Sequence, residues 1–327
     1  MKIRIAISTG DPAGIGPEVS LKAAFDLEVQ SICTPVLIGD GELLRTYAKI
    51  TGRSGLYTVE KTPEKDLKQV DGFLVYDVKG SASGVPAGRP SKKGGLAAAR
   101  YIEIGAKLAL EKKVSALVTA PICKESLQLA GIRHTAHTEL LASITRTKEY
   151  AMFFHSQQLK IALLTTHLSL RRALDDVKKS NIVSKVKLVS REYKKLFGKE
   201  PKIGICAVNP HSGEGELFGD EEAKEIGPAL EQLRKLRIHA QGPFPADTIF
   251  ARAMKGEFDL VFAHYHDQGL IPIKSLNLKA VNITLGLPFV RTSPDHGTAF
   301  DIVGKDVADP ASMIEAIKTA VSLSSSK

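Results

Sequence analysis

Short apolar, β-branched runs alternate along this chain with longer stretches whose apolar positions recur every three or four residues. The short runs predict strands over residues 3–8, 35–39, 73–78, 114–119, 151–155, 160–165, 202–208, 258–263 and 281–284. The clearest helix covers 181–197, where Ile182, Val183, Val186, Val189, Tyr193 and Leu196 share one face. Such alternation predicts an α/β fold with largely parallel sheets flanked by helices, because each parallel pair needs a crossover that a helix supplies. Residues 151–155 and 160–165 are joined by only four residues, 156–159, so a hairpin and one antiparallel pair are expected there. The segment 80–95, rich in Gly, Pro and Ser, reads as a long surface loop of functional length. The serine-rich end, 322–327, reads as frayed.

Composition narrows the class. With 327 residues, 43% hydrophobic and 25% charged, the chain has the makings of one large or two medium globular domains. No apolar run approaches the roughly 20 residues of a membrane span, and MKIRIAIS has no signal-peptide core, so no membrane role is expected. Three scattered cysteines make neither a disulfide framework nor a zinc ribbon, and the expected compartment is the cytoplasm. The formal charge of +9 raises the question of nucleic acid. The lysines fall on helix faces, as at 178, 179, 185, 187, 194 and 195, with no interleaved aromatics, and the reading is a solvated basic face and no nucleic-acid partner. Such a field would help draw in an anionic substrate.

Ligands of open α/β sheets bind beyond the carboxyl ends of the strands. Three predicted strands run into a histidine there: His167, His211 within NPHSGEGE, and His266 within AHYHDQG. One such histidine is usually structural, but three at equivalent places fit a metal site with open positions. His264, two residues before His266, is expected on the same face as a further ligand or a supporting group. In GIRHTAHTELL, His137 and Thr138 precede an apolar helix and read either as a helix cap or as an anion site at a helix N-terminus. The loop GDPAGIGPE is neither GxGxxG nor a P-loop, so a Rossmann cofactor site is not supported. Lys274, Asn282 and Arg291 bracket a short strand and could gather around a phosphate or carboxylate, and Asp309 before Pro310 reads as a helix cap.

STGDPAGIGPE, TAPICKESLQLAG, HTE at 137–139, TTHLSL, NPHSGEGELFG, GPFPADTIF, YHDQGLIPIK and VNITLGLPFVRTSPDHGTAFDI together resemble the 4-hydroxythreonine-4-phosphate dehydrogenases over essentially the whole length. The ends also resemble isocitrate and isopropylmalate dehydrogenases, which bind NAD without a Rossmann fold. The resemblance implies a two-domain fold of that kind, with 1–126 plus 282–327 on the cofactor side. Residues 127–281 would form the second domain, and the active site the cleft between them. It implies that His167, His211 and His266 bind one divalent metal (zinc, with cobalt or magnesium as alternatives), and that the site is shared across a homodimer. His137, Thr138, Lys274, Asn282 and Arg291 match its substrate-binding positions, and His296, Gly297, Thr298 and Asp301 its cofactor contacts. Asp247, in PADT, is a candidate proton relay, a group supporting the metal ligands, or a helix cap, and Lys274 is a second catalytic candidate.

The implied reaction is NAD- or NADP-dependent oxidation of 4-phosphooxy-threonine at C3, with decarboxylation to 3-amino-2-oxopropyl phosphate in pyridoxal phosphate biosynthesis. Cys123, Thr135-Ala136 and the SLRRALDDV turn depart from the family pattern. They leave room for a sister dehydrogenase acting on 4-phospho-threonate or 4-phospho-erythronate. A metal-dependent hydrolase and an acyl or phosphoryl transferase are the rival classes.

Overall fold

The computed structural model describes residues 2–53, 57–60 (backbone only), 72–134 and 136–325, so Thr135 lies outside the described residues. The chain separates into two compact units, Met1–Lys148 with Leu287–Ser325, and Glu149–Gly286. The boundaries anticipated from the resemblance stood at 126/127 and 281/282.

In chain order the first unit holds β1 (Ile3–Ser8), α1 (Gly16–Ala24), α2 (Leu27–Ile32), β2 (Cys33–Gly39), α3 (Gly41–Ile50), β3 (Tyr57–Glu60), β4 (Phe73–Asp77), α4 (Lys92–Leu110), β5 (Ala116–Thr119), α5 (Lys124–Leu129) and α6 (His137–Thr145). The second unit follows with β6 (Ala151–His155), β7 (Lys160–Leu163), α7 (Leu170–Asp175), α8 (Lys179–Phe197), β8 (Ile203–Cys206), α9 (Gly227–Lys235), β9 (Ala240–Phe244), α10 (Ala246–Met254), β10 (Leu260–Ala263), α11 (His266–Ser275) and β11 (Val281–Leu285). The chain then completes the first unit with β12 (Val290–Ser293) and α12 (Ala311–Ser325).

Strands of the first unit run β3-β4-β2-β1-β5-β12, all their pairs parallel. Its core is a continuous cluster in which Leu74, Val36, Ile38, Leu117, Tyr101 and Ile102 are fully buried. Strands of the second run β11-β6-β7-β10-β8-β9, antiparallel at β11/β6 and β6/β7 and parallel beyond. The expected hairpin is β6/β7, closed by Ser156, whose Oγ accepts from Leu159 N at 3.0 Å and donates to Leu159 O at 2.9 Å. Helix α8 buries all six residues of its anticipated face.

Two expectations change. The serine-rich C-terminus is helical to Ser325, with Leu323 buried and the Ser324 and Ser325 hydroxyls bonded to carbonyls one turn back. The loop expected to reach residue 95 ends at Ser91, which caps α4 by accepting from Gly94 N at 3.0 Å. No helix of the described residues is long and apolar enough to cross a membrane.

Candidate active site

Within the second unit β7, β10 and β8 are adjacent parallel strands, so their carboxyl ends lie along one edge. His167 follows β7, His211 follows β8 and His266 opens α11 just after β10. The rings of His167 and His266 stand 5.8 Å apart at 39°. The His266 Nδ1 lies 2.8 Å from Asp267 Oδ1, which fixes the ring and leaves Nε2 as the nitrogen for a ligand. His211 is exposed, with its ring 6.4 Å from that of Phe218. Among the described residues no three His, Cys, Asp or Glu side chains gather into a metal-holding group.

His264 does not share a face with His266. The strand ends at Ala263, and His266 already belongs to a helix, so period-two alternation no longer applies between them. Instead His264 is fully buried and its Nε2 donates to the Cys206 carbonyl at 2.8 Å. Burial pulls its pKa down to about 4 against the opposing pull of that carbonyl and of the Glu222 charge, so it stays neutral. Gln268 completes the brace, accepting from His264 N at 2.8 Å and donating to Ala207 O at 2.7 Å.

The chain leaving β8 is strained. His211 and Ser212 both lie in the left-handed region, at φ 50 and 57, as do Glu214 and Glu216. Each such non-glycine residue costs roughly 1–2 kcal/mol unless its surroundings hold it. The holding group is Glu222, buried, whose Oε1 accepts from Val208 N at 2.7 Å and Asn209 N at 2.8 Å. Asn209 Nδ2 in turn donates to Glu222 Oε2 at 2.8 Å and Glu221 Oε2 at 2.6 Å. Burial acts to raise the Glu222 pKa, but these hydrogen bonds outweigh it and hold the carboxylate below its ordinary value. Gly219 is required here, since a Cβ would sit 2.4 Å from Asn209 Nδ2.

In the first unit Arg291, on β12, is 1% exposed and donates through both Nε and a terminal nitrogen to Thr119 Oγ1, at 3.2 and 2.6 Å. Burial lowers its pKa to about 9, offset in part by Glu139, and it remains a cation at neutral pH. His137 Nε2 donates to Ala120 O at 3.1 Å. Burial and then Arg291 hold that imidazole well below its ordinary value, so it is neutral. Neither His137 nor Thr138 caps α6: the cap position is Ala136, with no side-chain bond, and both residues lie inside the first turn. Thr138 is buried there, and one carboxylate oxygen of Glu139 is buried without a hydrogen-bond partner. A buried guanidinium and an uncapped helix N-terminus together suit an anion, while the neutral imidazole, its one N–H on Ala120 O, offers an acceptor.

The other candidates fall as follows. Thr298 packs on the first loop, its carbonyl accepting from Ile15 N at 3.0 Å, and a Cβ on Gly14 would meet its Cβ at 2.9 Å. His296 Nδ1 lies 3.1 Å from Gly297 O, while its Nε2 is buried without a partner. Gly297 has open space around it and Asp301 is exposed. Asn282 stands on β11 opposite Phe154, its Oδ1 buried without a partner. Lys274 is exposed in the last turn of α11. Asp247 is exposed in the first turn of α10, whose cap is Pro245, so Asp247 is not the cap. Asp309 does act at a helix start, accepting from Ala311 N at 2.8 Å. Of the departing positions, Cys123 caps α5 and accepts from Ser126 N at 3.5 Å, and SLRRALDDV forms α7.

Sequence reasoning passed over Asp11 and Glu222, and reads Glu139 only as an acidic residue suited to a helix's first turn. Asp11 is fully buried just past β1, with one oxygen accepting from Ala13 N at 2.9 Å and the other unpartnered. Burial raises its pKa against the bonds from Ala13 and Ser126. A carboxylate inside GDPAG was the available signal, but only the fold reveals that it is buried.

Ionisable side chains past the carboxyl ends of parallel strands, as at His167, His211 and His266, are the arrangement of an α/β enzyme. The family profile described as pyridoxal phosphate biosynthetic protein PdxA matches residues 31–320. The chain belongs to this family, and it is an oxidoreductase. A 4-hydroxythreonine-4-phosphate dehydrogenase of Sulfurihydrogenibium sp. is 43% identical over 325 residues, 98% of this chain and 98% of the relative. A D-threonate 4-phosphate dehydrogenase of Cupriavidus necator is 40% identical over 321 residues, 98% of this chain and 96% of the relative. The crystal structure of 4-hydroxythreonine-4-phosphate dehydrogenase from Klebsiella pneumoniae superposes with a TM-score of 0.89 at 38% identity, over 99% of this chain and 100% of that one.

Proposed function

We propose that this chain oxidises the C3 hydroxyl of 4-phosphooxy-threonine with NAD or NADP, the resulting β-keto acid losing CO2 to give 3-amino-2-oxopropyl phosphate. The observation that carries the reading is the His167–His266 pair at the ends of adjacent parallel strands, in a chain matched by a 4-hydroxythreonine-4-phosphate dehydrogenase over nearly its full length. The pair fits a divalent metal, since His266 has one nitrogen fixed by Asp267 and the other left over. His211 would supply the third imidazole from the second chain of a homodimer. Zinc suits three imidazoles best, with cobalt or magnesium as alternatives. When bound, such an ion acidifies the substrate hydroxyl and stabilises negative charge on oxygen.

The chain's own residues bind and orient the substrate. Arg291 and Thr138 hold an anionic group of the substrate, while neutral His137, its one N–H engaged with Ala120 O, presents Nδ1 as an acceptor to a substrate hydroxyl. Lys274 and Asn282 complete the substrate contacts, and Lys274 and Asp247 are the candidates for moving a proton. His296, Gly297, Thr298 and Asp301, beside the first loop, face the nicotinamide cofactor. Remote binding of the phosphate positions C3 for hydride transfer. All three cysteines are free thiols, which suits the cytoplasm.

A second reading keeps the chemistry and changes the C2 substituent, supported by the similarity to a D-threonate 4-phosphate dehydrogenase. Absorbance at 340 nm tests both. Protein, NAD or NADP and zinc are supplied in parallel with 4-phosphooxy-threonine, D-threonate 4-phosphate and erythronate 4-phosphate. Reduction with the amino substrate, abolished in His211→Ala, is the expected result. Reduction with the deaminated acids alone moves the chain to the sister activity. No reduction by metal-loaded protein turns the reading to a metal-dependent hydrolase.

A further inference from the structure

We propose that Glu222 is a positioning residue that holds the His211 loop in the strained conformation from which His211 reaches its ligand. This rests on the reading of His211 as a metal ligand. The loop has no continuous helix to hold it: its one 3₁₀ turn, Pro210–Gly213, is broken by His211 and Ser212, which with Glu214 and Glu216 make four non-glycine residues in the left-handed region between β8 and Glu222. Left to themselves these residues would relax to ordinary φ values, which would redirect the His211 side chain.

Glu222 opposes that relaxation at the loop's root. One carboxylate oxygen takes the backbone N–H groups of Val208 and Asn209, and the other takes the Asn209 side-chain amide. Three donors on one buried carboxylate fix the direction in which the chain leaves β8, two residues before His211. The far end of the loop is drawn in by the same group, because Gly213 and Gly219 pass so close that a Cβ would lie 3.1 Å from Glu222 Oε2 and 2.4 Å from Asn209 Nδ2. Glu222 also begins a π-helical turn, Glu222–Ile226, a local geometry that re-aims a side chain relative to an α-helix.

The brace continues to the other histidine-bearing segment. Gln268 grips the Ala207 carbonyl and His264 N, and His264 grips the Cys206 carbonyl. Residues 206–209, which lead to His211, are thereby tied to residues 264–268, which carry His266. A carboxylate kept in a fully engaged buried position at this junction sets the placement of one proposed metal-binding imidazole, and touches neither metal nor substrate itself.

The test compares wild type, Glu222→Gln, Asn209→Ala and His211→Ala, with a Glu222→Gln/His211→Ala double variant. Two readouts are taken: zinc affinity of the apoprotein by competition with a chromogenic chelator, and hydrogen exchange of the Val208 and Asn209 amides. Glutamine keeps the size of the side chain but removes the charge that strengthens all three hydrogen bonds, and sets an N–H donor against one of the donors from Val208 and Asn209. Glu222→Gln is expected to speed exchange at both amides at least about 10-fold and to weaken zinc binding on the order of 10-fold or more. Asn209→Ala, which leaves the two backbone bonds in place, is expected to weaken zinc binding less, and serves if Glu222→Gln does not fold. In the His211→Ala background Glu222→Gln is expected to change zinc affinity no further, the non-additivity of residues that act through one another. Unchanged exchange in Glu222→Gln, or a zinc loss that simply adds to that of His211→Ala, overturns the proposal. Zinc binding indifferent to His211→Ala overturns the metal-ligand reading, while faster exchange in Glu222→Gln would still establish the hold on the loop.

Discussion

At the scale of residues, burial decides what each ionisable group does. Arg291 is a fully buried cation that reaches Thr119 with two nitrogens. Arg291→Lys is expected to raise KM for the phosphorylated substrate about 10-fold or more, because an ammonium lacks the planar fork and deprotonates more readily when desolvated. Steady-state kinetics check this, and an unchanged KM would remove Arg291 from the anion site. His155 gives a pH test away from the site. Its ring lies 5.4 Å from that of Phe197, and burial, then Lys160, lower its pKa to about 4. The unfolded chain takes up this proton near the ordinary value of about 6.5, before the folded protein does. The stability it contributes is therefore present above about pH 6.5, declines as pH falls to about 4, and is bounded by about 3 kcal/mol. Urea unfolding at pH 7.5 and 4.5 should show a smaller acid loss in His155→Leu than in wild type. Equal losses would mean that His155 is not the titrating group.

At the scale of elements, close backbone approach controls how helices and strands present the site. A Cβ on Gly95, in α4, would stand 2.0 Å from Ser126 O in α5. Gly95→Ala should push these helices apart and destabilise the fold by at least about 2 kcal/mol, measured by denaturant unfolding. An unchanged midpoint would show that the pair can part freely. This scale also explains which elements were legible. Strands β1 and β6 and the long α8 follow the apolar pattern almost residue for residue, since their buried faces are apolar. Strand β12 was missed because three of its four buried residues, Arg291, Thr292 and Ser293, are polar side chains that carry no alternation signal. Strand β9 was missed because AQGPF contains a glycine and a proline, and it survives at the edge of its sheet, where a missing N–H is tolerated.

At the scale of the whole molecule, the site requires more than one chain on the reading advanced above. Two histidine variants, His211→Ala and His266→Ala, should each be inactive alone. Mixed under conditions that exchange subunits, they should recover activity approaching about a quarter of wild type, because a mixed C2 dimer has one intact site. Size-exclusion chromatography with light scattering reports the dimer directly. No recovery between exchanging subunits would place all three histidines in one chain. The charge of +9 should make the rate of substrate capture fall with added salt.

The sequence by itself determined the α/β class, the hairpin at β6/β7 and the three histidines past strand ends, because each depends on periodicity or spacing within a few residues. It also carried the family, through ordered motifs spread over the whole chain. Tertiary structure alone decided that His264 turns into the core while His266 opens a helix. It alone decided that Asp11 and Glu222 are buried carboxylates, that one oxygen of Glu139 is shut from solvent, and that His211 stands on a loop held by a residue eleven positions further along the chain. Those outcomes depend on what surrounds a side chain once distant segments have packed, and a local pattern of apolar and polar positions contains no record of that.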